Sequence, residues 1–168
     1  MRVLHYTKSV NDGAGRAARA LNDALRKAGV DSWIACLDDP KGYSHAIQIR
    51  ERKPANGQLL QDMMALSRQQ LEQAGRTSVS NTLFSGDFVG CDVASTKFLE
   101  RFDIHHLHWV VDFIHPYSVQ NLMAKDLPVV WTLHDTWPLT GGCHYTAGCR
   151  LFESDCVDCP QLLDDSRQ

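Results

Sequence analysis

Four cysteines fall within seventeen residues of the stretch GGCHYTAGCRLFESDCVDCPQ, Gly141 to Gln161. Cys156 and Cys159 are separated by two residues, the spacing of one half of a zinc knuckle. Cys143 and Cys149 are separated by five, looser than paired ligands usually are, with His144 at hand as a substitute. Thiols grouped in this way can cage a metal, cross-link or exchange electrons. A redox C-x-x-C normally opens a helix after a strand, whereas Pro160 and the polar, glycine-rich surroundings suit an irregular loop. A structural zinc ion on Cys143, Cys149, Cys156 and Cys159 is the leading expectation, with free thiols next and disulfides last. Cys36 and Cys91 stand alone and read as small core residues.

Imidazoles form the second reactive set. His108 in FDIHHLHWVV and His134 in LPVVWTLHD each follow an apolar run, so in a doubly wound sheet both can point into one cleft beyond the strand ends. One strand-end histidine is usually structural; two beside a glycine loop favour function. Asp135 could orient a histidine, bind a sugar hydroxyl or cap the next helix. Alternation puts His105 and His106 on opposite faces without ranking them. Trp109, Trp131 and Trp137 add aromatic surface, core packing being its default role and stacking on a sugar or base the minority one.

Gly13, Gly15 and Arg16 open a helical pattern after the first apolar run. Bare N–H groups and the helix dipole there suit a phosphate or another anion, while a tight turn that needs small residues is the plain reading. Gly13, Gly15 and Ala18 also satisfy G-x-G-x-x-G/A, with Asp38 or Asp39 near the place of a ribose-binding acid. Against that dinucleotide reading, six residues separate Tyr6 from Gly13, too many for the fingerprint's immediate turn.

The elements that must position these groups follow from periodicity. Arg2 to Thr7 reads as a strand, Ala17, Leu21, Ala24 and Ala28 as a helical stripe, Gly29 as a positive-φ helix end, and Asp31 to Leu37 as a second strand. Asp38 to Asn56 reads as loop. An amphipathic helix is expected over Leu59 to Leu71, a weak strand at Val79 to Phe84, a short helix at Val93 to Arg101, and a helix in HPYSVQNLMAKD with Pro116 in its first turn. Strands alternating with helices predict an α/β fold, a Rossmann-like, mostly parallel sheet with helices on both faces.

Composition sets the outer bounds. A length of 168 residues and 43% hydrophobic content predict a single Rossmann-like domain over 1–168 with a cysteine-rich loop at 141–161. With 17 basic against 20 acidic residues and a net charge of -3, nucleic acid is not an expected partner. The longest apolar run is five residues, Trp33 to Leu37, and the N-terminus lacks a secretory signal, so a cytoplasmic location is expected.

Three stretches, MRVLHYTKSVNDGAGRAARALNDALRKAGVDS, HHLHWV and above all PVVWTLHDTWPLTGGCHYTAGCRLFESDCVDCPQL, resemble the N-terminal half of a retaining GT-B glycosyltransferase of family 4, in the branch that builds bacterial exopolysaccharide and lipopolysaccharide. The resemblance implies an acceptor-side domain whose donor-binding C-terminal domain is absent from this chain. It implies that His134 lies near the reacting sugar, that His108 lines the acceptor side, and that Gly13, Gly15 and Arg16 approach the donor phosphates. No catalytic metal is implied, and a nucleotide-sugar donor is. The partners are then a glycan or lipid-linked acceptor and the donor-binding domain, with peripheral association at the inner face of the membrane. The isolated chain is expected to be inactive. The other readings are a nucleotide- or dinucleotide-binding domain of an oxidoreductase and a non-catalytic, zinc-containing interaction module.

Overall fold

The computed structural model describes residues 1–49, 66, 70, 75–79, 82–86, 90–93, 100–140 and 142–163. The chain divides into two compact units, Met1–Lys53 with Gly90–His134, and Pro54–Val89 with Asp135–Gln168.

The first unit is built on a five-stranded sheet. Its strands are β1 (Arg2–Thr7), β2 (Asp31–Cys36), β3 (Ala46–Gln48), β4 (Ile104–Leu107) and β5 (Val129–Trp131), all parallel, in the order β3-β2-β1-β4-β5. This is the order of a Rossmann-like sheet, which reverses direction between β1 and β4. Helix α1 (Gly13–Lys27) joins β1 to β2, and α2 (Pro116–Ala124) joins β4 to β5. Right-handed crossovers leading opposite ways from β1 and β4 place the two helices on opposite faces. Leu4, Tyr6, Ile34, Ala35 and Leu107 are fully buried, as both-face coverage of a parallel sheet requires.

Helix α1 begins where Asp12 caps it, its carboxylate accepting from Gly15 N at 2.6 Å. It ends in a Schellman arrangement, Val30 N to Leu25 O and Gly29 N to Arg26 O, with Gly29 at φ 82 as the sequence suggested. The stripe of Ala17, Leu21, Ala24 and Ala28 is helical as expected, and its residues are exposed. The helix instead buries Gly15, Ala18 and Asn22, and Leu21 is exposed. Small residues let α1 approach the sheet closely, and Asn22 is admitted because Ser32 of β2 donates to its Oδ1. Pro116 opens α2 as expected, with His115 as its cap.

Strand β3 lies inside the stretch read as loop. Its three half-buried residues occupy the sheet edge and are too few to show a period. The helix expected over Leu59 to Leu71 lies, apart from residues 66 and 70, outside the described residues, as does most of Val93 to Arg101. Of Val79 to Phe84, Phe84 makes a single antiparallel bridge to Cys143, and residues 80 and 81 lie outside the described set.

The described residues of the second unit hold two short 3-10 helices, Trp137–Leu139 and Leu151–Glu153, and a second bridge from Arg76 to Leu162. Among the described residues, no helix is long and apolar enough to cross a membrane.

Candidate functional site

The reversal between β1 and β4 is where an open α/β sheet forms its ligand crevice. His5 of β1 pairs in register with His106 of β4, so alternation puts His5, His106 and His108 on one face and His105 on the other. His5 Nδ1 lies 3.2 Å from His108 Nε2, and His108 Nδ1 lies 3.1 Å from His134 Nε2. His106 stacks 4.3 Å from His108 between ring centroids and meets Thr132 Oγ1 at 2.7 Å. The structure therefore brings His108 and His134 together, and adds His5 and His106 to them. His5 is buried inside the first strand, and sequence reasoning did not single it out; the signal that exposes it is the parallel register, which no single strand carries.

Burial drives the charge state of this group. Burial, then the neighbouring His106, lowers His5 to about 4, and burial, then His106, His5 and His134, lowers His108 to about 3. Burial and His134 lower His106 in the same direction. These rings are neutral near pH 7, resist protonation, and each keeps one bare nitrogen that can accept a hydrogen bond or ligate a metal. Ring nitrogens of His5, His106 and His108 lie within 4.8 Å of one another, close enough for one cation. On the opposite face, His105 Nδ1 meets the Tyr6 hydroxyl at 2.8 Å, and burial lowers its pKa.

The glycine loop is closed from within. A Cβ on Gly15 would lie 1.9 Å from the Ser9 carbonyl oxygen, so glycine is required there by close packing. The Asp12 carboxylate occupies the Gly15 N–H, placing negative charge where a dinucleotide's pyrophosphate would sit. Gly13 and Arg16 are exposed at the same helix start.

In the second unit, Cys143, Cys149, Cys156 and Cys159 line one small cavity with Thr140, Thr146, Leu151 and Phe152. None of the six cysteines is paired in a disulfide. Burial, then Cys159, Cys156 and Cys149, pushes the Cys143 thiol up to about 11. Gln161 Nε2 donates to Cys143 Sγ at 2.9 Å. The four cysteines thus line one space. His144, the substitute ligand, is engaged elsewhere: its Nδ1 lies 2.6 Å from Asp135 Oδ2 and its Nε2 lies 3.0 Å from Ser85 Oγ. The other oxygen of Asp135 accepts from Trp137 N at 3.0 Å, an Asx turn leading into the 3-10 helix. Both oxygens of Asp135 thus serve contacts within this unit.

With this geometry in place, sequence comparison supplies one relationship. The chain is 39% identical over 67 residues to the Escherichia coli (strain K12) protein "Putative colanic acid biosynthesis glycosyl transferase WcaC", a match covering 37% of this chain and 16% of that protein. The chain is thus related to a glycosyl transferase over part of its length. No protein-family model matches it, and no solved structure matches it.

Proposed function

We propose that this chain is the acceptor-side domain of a retaining, GT-B-type glycosyltransferase of family 4, which moves a sugar from a nucleotide-sugar to a glycan or lipid-linked acceptor. The observation that carries the reading is the file of hydrogen-bonded histidines ending in His134 at the reversal point of a Rossmann-ordered sheet, in a chain related to a glycosyl transferase. The rings of His5 and His108 spend both nitrogens within the file, which leaves the outer nitrogen of His134 to pair with a hydroxyl of the acceptor. The same crevice offers little to a diphosphate: Lys8, just after β1, is held by Asp112 at 3.0 Å, and Asp12 caps the adjoining helix. Donor binding belongs, on this reading, to a further domain. His134 lies near the reacting sugar and His108 on the acceptor side, with Gly13, Gly15 and Arg16 at the donor-facing edge. A lipid-linked acceptor would bring the enzyme to the inner face of the membrane.

The experiment is transfer. The 168-residue chain, incubated with UDP-, GDP- and TDP-sugars and lipid-linked acceptors, is expected to be inactive alone and active when combined with a donor-binding domain. In that combination, His134→Ala lowers turnover by about 10²-fold, as for a positioned polar group acting on the transition state. Transfer by the chain alone, or undiminished turnover in a folded His134→Ala protein, overturns the reading.

For the second unit, we propose a structural zinc ion held by Cys143, Cys149, Cys156 and Cys159. Support comes from the four thiols around one cavity and from the Gln161 amide aimed at the Cys143 sulfur, the kind of outer contact that steadies a ligating thiolate. The ion would offset the repulsion among the thiolates that raises the Cys143 thiol. Protein purified without chelator should carry about one zinc per chain, and cobalt substitution should give thiolate-to-metal charge-transfer bands that Cys159→Ser weakens. Metal-free protein whose melting is unchanged by EDTA speaks against it.

A further inference from the structure

The histidine file does not stop at His5. His5 Nε2 lies 3.1 Å from Ser32 Oγ, Ser32 Oγ donates to Asn22 Oδ1 at 2.6 Å, Asn22 Nδ2 donates to the Tyr43 hydroxyl at 2.6 Å, and that hydroxyl donates to Asp23 Oδ1 at 2.8 Å. The path therefore crosses the sheet from the loop after β5, through β4, β1 and β2, to α1 and the turn before β3. We propose that this chain of hydrogen bonds has one fixed polarity, set at Asp23, and that it holds His134 as the Nε2–H tautomer with Nδ1 as the lone pair of the site.

The polarity follows from counting protons. An ionised Asp23 only accepts, so the single proton of Tyr43 points to it, and the Tyr43 oxygen must accept from Asn22. Flipping the Asn22 amide would ask Tyr43 to donate twice. Asn22 Oδ1 therefore faces Ser32 and takes the serine's one proton, which obliges His5 Nε2 to donate to Ser32 Oγ. A neutral His5 then presents a bare Nδ1 and His108 must donate to it through Nε2. By the same rule His108 Nδ1 accepts from His134 Nε2. Among the described residues, His134 Nδ1 has no hydrogen-bond partner, so it is the open end of the chain. Reversing any link sets two acceptors face to face in a buried path, where an unmade hydrogen bond is costly. His5 and Ser32 are fully buried and His108 is nearly so, which keeps water from substituting for a link.

Asp23, Tyr43, Asn22, Ser32, His5 and His108 are on this account positioning residues, which act on substrate only through His134. The proposal adds to the acceptor-domain reading the atom that His134 presents, but the tautomer can be read without substrate, so the two fail separately. The test is long-range ¹H–¹⁵N NMR of the histidine rings in the 168-residue chain near pH 7.5. His5, His108 and His134 should each show a protonated Nε2 and a bare Nδ1, in about tenfold or greater excess over the other tautomer, the ratio that one unmade buried hydrogen bond imposes. In Asp23→Asn the new amide can donate to Tyr43, the hydroxyl can turn to Asn22 Oδ1, and the excess at His134 should fall. Asn22→Asp combined with Asp23→Asn exchanges the two groups and restores one polarity, so the wild-type pattern should return. An Nδ1–H tautomer at any of the three rings in the wild type overturns the proposal. So do metal-shifted ring nitrogens at His5 and His108, or an Asp23→Asn protein with an unaltered His134.

Discussion

His5 and His108 are held neutral by burial at about 4 and about 3, against 6.5 for an ordinary histidine. The folded protein therefore binds fewer protons than the unfolded chain between pH 6.5 and those values, and its stability must fall as the pH falls through that window. Above about 6.5 the contribution is complete. The upper limit of the slope is about 1.4 kcal/mol per pH unit for each ring. Thermal melting followed by circular dichroism should show the midpoint steady from pH 8 to 7 and dropping by several degrees by pH 4.5. A flat midpoint over that range contradicts the placement of these rings. His108 and His134 were legible in the sequence because each follows an apolar run. His5 was not, because a histidine within RVLHYT looks like one more core position until β4 is laid beside it. Asn22, Ser32 and Tyr43 were invisible for the same reason, their contacts joining separate elements.

At the scale of elements, β1, α1 and β2 were readable because apolar runs, a positive-φ glycine and a helix-opening loop mark them locally. Strand β3 was missed because it is three residues long at an edge, and apolar spacing does not point to the face that α1 buries, because close approach favours Gly15 and Ala18 over Leu21. The contrast between two glycines tests that packing. Gly15→Ala must push a methyl group into the Ser9 carbonyl, and a cost of about 1–3 kcal/mol is expected, as for overpacked cores. Gly13→Ala meets nothing within 4 Å and should be close to neutral or slightly stabilising. Urea melts of the two variants decide the matter: equal midpoints would mean that α1 does not lie so close to the loop. The cysteine segment was legible as a cluster, since all four thiols reach one cavity, while the diversion of His144 to Asp135 and Ser85 could not be foreseen from its position beside Cys143.

For the whole molecule, the proposed role is to contribute the acceptor half of a sugar-transfer site. The relationship that supports it spans 67 residues and 16% of the related protein. A net charge of -3 and an aspartate-capped helix start leave the crevice poorly suited to a diphosphate and better suited to neutral hydroxyls. Saturation-transfer NMR of the 168-residue chain with oligosaccharides, UDP-sugars and NAD compares these classes directly. The account predicts saturation of oligosaccharide protons that weakens in His134→Ala, with little or none reaching NAD. Strong transfer to NAD with none to any oligosaccharide would contradict it.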